Sequence, residues 1–378
     1  MHPDGCPQVG RSRRNLFSLV CLSLLLGAAP AQAIIFYTTG DPNYNTTAPG
    51  GTLANSGWQF EGIWENSYLG TPIAPRYFIT ASHFGGSVGD LFTLNGTQYT
   101  TTAFYDDPDS DLRIWRVCGS FAAYAPLYTN SNEINKSLVV IGRGTQRGAV
   151  VTTSTTNLLG QVTVKTNGWQ WGTGDGVVRW GENTVASVVN GDSIFGSGIG
   201  DMLQASFDAG AGGNECQLSV GDSGGAVFIK DGSTWKLAGI NYAADGTYNT
   251  SNSGAGFNAA IYDERGLYKM EAGAWVLTPD LFQPQPGSFY ATRISAHVSW
   301  INSIIGGPGP GDGPPTLQSS GGPSGPYADE FNAAVDDVAR TVTIALPAGS
   351  RFYRLRACDP LTLGSIRVQG GNLVLTYQ

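Results

Sequence analysis

Between residues 34 and about 290, apolar and polar positions alternate in short runs bounded by Gly, Asn, Asp, Ser or Pro. The runs 57–64, 76–81, 112–117, 137–142, 161–165 and 202–207 are each rich in β-branched or aromatic residues, and each reads as a strand. The runs 226–230 and 235–240 flank Asp231-Gly232, whose positive φ suits a primed hairpin turn. Many short antiparallel strands predict a barrel or a sandwich. One segment has the helical period instead. In 291–305, Ile294, Val298, Ile301 and Ile305 make an apolar stripe that stops at Gly306-Gly307. Residues 306–327 form a Gly/Pro-rich linker unable to build a core. Residues 328–378 read as a small β module, with strands at 341–346, 351–355 and 366–377 and a Gly370-Gly371 turn in the last. Alone it is marginal for its size.

The first 33 residues stand apart from this pattern. Arg11, Arg13 and Arg14 precede an apolar run over 16–29, and Ala31-Gln32-Ala33 follows as an A-x-A cleavage pattern. This is the form of a secretory signal, and the apolar run is too short for a membrane span. The arginine pair loosely resembles a twin-arginine signal. The remainder is expected to be soluble and exported, secreted or periplasmic, without stable membrane insertion. Cys118, Cys216 and Cys358 remain after the leader. In an oxidising compartment they permit one bridge, with three possible pairings and one thiol left over. Cys358 reads as a small buried apolar residue.

Composition adds three exclusions. Nine Trp, 16 Tyr and 16 Phe among 378 residues supply a large core, so the chain is not disordered. Only 13% of residues are charged, about half the usual share, which argues against helical bundles and coiled coils. The net charge is −8, and the leader's three Arg against one Asp make the remainder more acidic still. An acidic surface argues against nucleic acid as a partner. No Cys-x-x-Cys or His-x-x-x-His spacing points to a metal, and no cofactor is expected.

Gly221-Asp222-Ser223-Gly224-Gly225 stands directly before a strand. Glycines around a serine let the backbone bend and expose both the hydroxyl and nearby N–H groups. The motif fits a plain Gly-rich turn, and it also satisfies the G-x-S-x-G elbow of α/β-hydrolases. A serine nucleophile needs an adjacent base. The chain holds three His, and only His83 and His297 lie beyond the leader. His83 ends a strand, whereas His297 sits mid-helix and reads as a surface or packing residue. The base needs a carboxylate to fix its tautomer. Asp106, Asp107, Asp109 and Asp111 offer four, and Asp111 leads directly into a strand. Asp109 is the fallback; the others read as solvated turn residues.

Thr80-Ala-Ser-His83, Asp111-Leu-Arg-Ile and Gly221-Asp-Ser-Gly-Gly, in that order, resemble the three signatures of the chymotrypsin-like serine peptidases. The stretch 69–81 is similar to the strand pair leading to the family's histidine, and 286–301 to its last strand and terminal helix. The resemblance covers about 57–305, with unmatched insertions near 120–215 and 244–285. It implies an all-β fold of two antiparallel six-stranded barrels with a C-terminal helix. It also implies Ser223 as nucleophile, His83 as general base, Asp111 as orienting carboxylate, and Gly221 and Ser223 N–H groups as oxyanion hole. Ile34-Ile35 is similar to the family's mature terminus, whose amine would pair with Asp222. Gln217 would form the floor of the specificity pocket, and Gly287 part of its wall. An amide floor argues against Arg/Lys specificity. Phe84 and Ser219 stand near positions where the family has cysteines, and Asn241-Tyr-Ala-Ala replaces its Ser-Trp-Gly segment.

The expected function is therefore a secreted serine endopeptidase acting on proteins or peptides, with the C-terminal module as a surface-attachment device. Two alternatives compete. One is a catalytically silent, peptidase-like binding or adhesion protein. The other is a serine esterase using Ser223, then Asp245, Asp263 or Asp280, then His297, which requires a helix after the serine.

Overall fold

The computed structural model describes residues 34–156, 158–307, 314–358 and 361–378; the expected signal segment lies outside them. After a short strand β1 (Ile35–Phe36) come β2 (Gly62–Trp64), β3 (Tyr68–Ala74), β4 (Tyr77–Ala81), β5 (Leu91–Leu94), β6 (Thr97–Asp106) and β7 (Leu112–Val117). These six close into an antiparallel barrel in the order β2-β3-β4-β7-β6-β5. Aromatic rings fill it: Trp64, Phe78, Phe92 and Trp115 are fully buried, and Phe78 stacks on Phe92 at 4.0 Å between centroids. The rings dictate glycine at position 62, where a Cβ would lie 2.1 Å from the Phe92 ring. Strand β4 is buried on both faces. Phe78 points into the barrel, while Tyr77, Ile79 and Ala81 join the larger core shared with the second half.

That second half carries β8 (Ser137–Gly142), β9 (Thr145–Thr156), β10 (Val162–Gly174), β11 (Arg179–Thr184), β12 (Ser187–Asn190), a one-turn helix α1 (Asp192–Phe195), β13 (Asp201–Ser206), β14 (Cys216–Gln217), β15 (Ala226–Asp231) and β16 (Thr234–Ala244). Strands β17 (Tyr248–Asn249), β18 (Ala259–Ile261), β19 (Tyr268–Glu271), β20 (Ala274–Leu277) and β21 (Ser288–Arg293) follow, then α2 (Ile294–Ile305). The sheet here is seven-stranded and open, in the order β11-β8-β15-β16-β21-β13-β12, in place of the expected second closed barrel. Its two end strands, β11 and β12, are separated only by Val185-Ala186, where Val185 N–H donates to Lys136 O at 3.0 Å and Ala186 N–H to Gln204 O at 2.8 Å. Glu182 N–H donates to Asn214 O at 2.9 Å, so the segment entering β14 lies along the other side of β11. The Asp231-Gly232 hairpin forms between β15 and β16. The inserted stretches make two three-stranded sheets, β18-β10-β9 and β17-β19-β20.

The helix begins at Ile294, because the first three residues of the expected helical segment extend β21. Residues 316–320, read from sequence as linker, are strand β22 (Thr316–Ser320). It pairs with β23 (Ala328–Asp329), and after β24 (Ala334–Asp336) and β25 (Thr341–Ala345) it pairs also with β26 (Phe352–Arg356). With β27 (Leu363–Gln369) and β28 (Asn372–Tyr377), a second sheet runs β24-β25-β28-β27. Leu317 therefore belongs to the module core with Val342, Ile344, Leu375 and Tyr377. Cys358 is not a lone buried thiol. It forms a disulfide with Cys118 at the end of β7, and Cys216 is the buried free cysteine.

Candidate active site

His83 lies in a single 3-10 turn, Ser82–Phe84, at the end of β4. Asp111 stands just before β7, and the β4–β7 ladder aligns Ala81 with Leu112, so the two side chains start from adjacent strand ends. His83 Nδ1 lies 2.6 Å from Asp111 Oδ2. The other carboxylate oxygen accepts His83 N–H at 3.0 Å and Ser82 Oγ–H at 2.8 Å. An ionised carboxylate only accepts, so the Nδ1 proton is directed to Asp111 and Nε2 is left with its lone pair. The side chain of Asp111 is 7% exposed and that of His83 38%, an orienting group inside and a base at the surface of a cleft.

Of the rest of the acidic run, only Asp107 departs from the expected solvated turn. Asp106 makes a bidentate pair with Arg113 at 2.5 and 2.8 Å, and Asp107 is buried against His297. Asp109 is exposed.

Ser223 sits in a turn that only glycine can build. Gly221 has φ +92° and Gly224 φ +77°. A Cβ on Gly224 would lie 2.5 Å from Thr80 Oγ1 and 2.9 Å from Leu69 O, which presses the turn onto β3 and β4. The same Cβ would lie 3.0 Å from the ring of Phe84, the neighbour of His83. Tyr242 joins the two sides. Its carbonyl accepts Ser223 Oγ–H at 3.1 Å, and its ring stands edge-on to the His83 ring with centroids 5.8 Å apart. Among the described residues, no hydrogen bond joins Ser223 to His83, and neither the Gly221 nor the Ser223 N–H donates to a protein acceptor. Burial, and then the charge of Asp111, push the Tyr242 phenol above its ordinary range.

Asp222 is completely buried beneath this turn. Burial pushes its carboxyl up to about 6, against four hydrogen bonds that favour the charge. Ser219 N–H, Gly144 N–H, Ser219 Oγ–H and Ile34 N–H all donate to it. Gly142 and Gly144 leave the space, since a Cβ on either would fall 2.1 or 2.6 Å from a carboxylate oxygen. Ile34 reaches the carboxylate because β1 pairs with β14, Ile35 opposite Gln217.

Neither expected pocket residue faces an open pocket. Gln217 is 1% exposed, and its Oε1 accepts Leu218 N–H at 3.1 Å. Gly287 is buried between Ile261 O and Phe207 N–H, and a Cβ there would lie 2.8 Å from Tyr248 Oη. Around Tyr242 the structure instead gathers Phe195 and Tyr290, with ring centroids 5.2 and 5.1 Å apart along the series. Tyr290 Oη donates to Asp245 at 3.3 Å, and Lys269 pairs with Asp245 and Glu264 at 3.2 and 3.1 Å. Burial works against the Lys269 charge, but the two carboxylates raise its pKa overall. Sequence reasoning missed Tyr242, Phe195 and Tyr290. Its only signal was the departure of Asn241-Tyr-Ala-Ala from the Ser-Trp-Gly pattern.

Set against protein-family models and curated proteins, the chain matches none, so the reading of the site rests on its own geometry.

Proposed function

We propose that this chain is a secreted serine endopeptidase of chymotrypsin-like architecture, its open seven-stranded sheet standing where that architecture has a second barrel. The observation that carries the reading is the His83–Asp111 pair at 2.6 Å, placed at the end of β4 beside the glycine turn of Ser223. In this reading Ser223 Oγ attacks the peptide carbonyl. His83 Nε2 takes its proton and later gives it to the leaving amine, and Asp111 holds the imidazole and stabilises its charged form. The N–H groups of Gly221 and Ser223 receive the oxyanion, and losing one such donor costs about 3–4 kcal/mol of transition-state stabilisation. For this chemistry the hydroxyl of Ser223 must leave the Tyr242 carbonyl for His83.

The silent-binder reading has one observation in its favour, the engagement of Ser223 Oγ by Tyr242 O. The esterase reading is not supported, because Ser223 is followed by strand β15 and His297 pairs with Asp107. A fluorophosphonate probe tests the proposal. Labelling that is lost in both Ser223→Ala and His83→Ala is expected, together with loss of peptide cleavage. Equal labelling of Ser223→Ala overturns the assignment, and a folded, processed protein that never labels selects the binder.

A further inference from the structure

The described residues contain two histidines, and both pair with aspartates from the run Asp106–Asp111. His83 Nδ1 lies 2.6 Å from Asp111 Oδ2, and His297 Nδ1 lies 2.6 Å from Asp107 Oδ2. The second pair is the more buried, with side chains 9% and 2% exposed. His297 comes from α2, 190 residues along the chain from Asp107, and α2 packs on the core that the barrel strands share.

Asp107 organises the turn that ends at Asp111. Its Oδ1 accepts Asp109 N–H at 3.2 Å, and its Oδ2 accepts Ser110 Oγ–H at 2.8 Å. Ser110 Oγ in turn accepts Leu112 N–H at 3.3 Å, and Asp107 N–H donates to Leu112 O at 2.9 Å. Moving Asp107 therefore moves the residue that begins β7 and the carboxylate beside it. A third segment closes over the pair. Gly200 has φ +69°, and a Cβ there would lie 2.6 Å from Asp109 O and 3.4 Å from His297 Nε2.

Stability alone does not call for this arrangement. Two polar side chains taken from water are costly, and an apolar pair of similar volume packs as well or better. What a hydrogen-bonded pair supplies in addition is direction, one fixed position for the turn. The Nε2 of His297 is buried without a partner, so the ring is held through its Nδ1 side.

We infer that His297 is a positioning residue. Its bond to Asp107 locks the 106–111 turn so that Asp111 meets His83, and docking of α2 is thereby coupled to the order of the candidate site. The catalytic consequence rests on the peptidase reading of Ser223; the geometric coupling does not.

The test uses the full-length protein and two readouts. The first is the proton NMR spectrum of histidine ring N–H groups bonded to carboxylates, where two low-field resonances are expected, assigned by His83→Ala and His297→Phe. The second is the rate of fluorophosphonate labelling at Ser223. In folded His297→Phe, the remaining His83 resonance shifts or broadens, and labelling slows about tenfold or more, as small displacements of catalytic groups do. With a peptide substrate the loss falls on kcat, with KM little changed. His297→Asn, whose amide N–H can stand where Nδ1 stood, recovers most of both signals. A His83 resonance that stays unmoved in His297→Phe overturns the inference. If His297→Phe does not fold, Asp107→Asn reads the same two signals with the same outcomes. If the wild-type protein does not label at all, the peptidase reading fails, and the His83 resonance alone decides the positioning role.

Discussion

The backbone nitrogen of Ile34 lies 3.2 Å from each carboxylate oxygen of Asp222, and both residues are sealed from solvent. A peptide N–H brings one proton and no charge to those two acceptors. A free amine at the same place brings three donors and a positive charge, and an opposite charge at this range favours the ionised carboxylate. Asp222 is the residue immediately before Ser223, so whatever steadies it steadies the turn that presents the hydroxyl and the two open N–H groups.

The expected outcome is that protein starting at Ile34 labels with fluorophosphonate at least about tenfold faster than protein retaining the preceding residues, the effect of roughly 1.4 kcal/mol or more of extra turn stabilisation. Acetylating the Ile34 amine returns the slower rate. Mass spectrometry of the active species finding another N-terminus, or equal rates for the two forms, refutes the pairing.

Buried carboxylates make stability fall as pH rises. Burial pushes both Glu61 and Glu215 up to about 8, and Asp222 to about 6. Glu61 keeps only the Thr71 hydroxyl on one oxygen, and its other oxygen is buried without a partner. In the unfolded chain these groups release their protons near 4. Between there and 8 the native state holds protons that the unfolded state has lost, so stability decreases with increasing pH. Thermal melting should show a decline from pH 5 to pH 8 and a plateau above. Glu61→Gln should raise stability at pH 8 by on the order of 3 kcal/mol and change it little at pH 4. A melting temperature that rises across this range contradicts the assignment.

The barrel strands were legible in the sequence because they are short runs rich in β-branched and aromatic residues that end at turn residues. The strand order of the second sheet was not, because it joins β8, β13 and β21 from segments far apart in the chain, pairings that no local pattern encodes. Residues 316–320 read as linker because they adjoin Gly and Pro, yet Leu317 is held by Val342 and Leu375 from far along the chain. The candidate site divides in the same way. His83, Asp111 and the Ser223 turn carry local signatures, whereas Asp107 looked solvated until a histidine from α2 was placed against it. Gln217 is a case of analogy alone: its position suggested a pocket floor, and the β1–β14 pairing buries it.

The C-terminal module is fastened at the end of β7 remote from Asp111. Cys118 and Cys358 are separated by 240 residues, so the crosslink closes a long loop in the unfolded chain. Such closure contributes about 5–6 kcal/mol in the chain-entropy account, and the module's own core is small. Cys118→Ser or mild reduction should make residues 314–378 melt first and become protease-sensitive, while fluorophosphonate labelling of Ser223 persists. Loss of labelling in parallel with the module would show that the two are coupled through more than this bond.

If the proposed peptidase activity holds, Tyr242, rather than Gln217, should govern which peptides fit. The Tyr242 ring stands between His83 and Phe195, and Phe195 continues to Tyr290, so an aromatic wall runs away from the imidazole. Gln217 is buried, with its amide oxygen engaged by the next residue's N–H. Replacing Tyr242 by Ser removes a ring worth about 0.5–1.5 kcal/mol in aromatic contacts, beyond its area. In a peptide-library profile, Tyr242→Ser should therefore lose up to about tenfold in kcat/KM on its best substrates and tolerate bulkier residues beside the scissile bond. Gln217→Leu leaves the Leu218 N–H unpaired and should lower stability by about 1–3 kcal/mol, with the cleavage pattern unchanged. If Gln217→Leu redirects cleavage and Tyr242→Ser does not, the pocket floor lies where the peptidase resemblance puts it, and the aromatic wall only supports the fold.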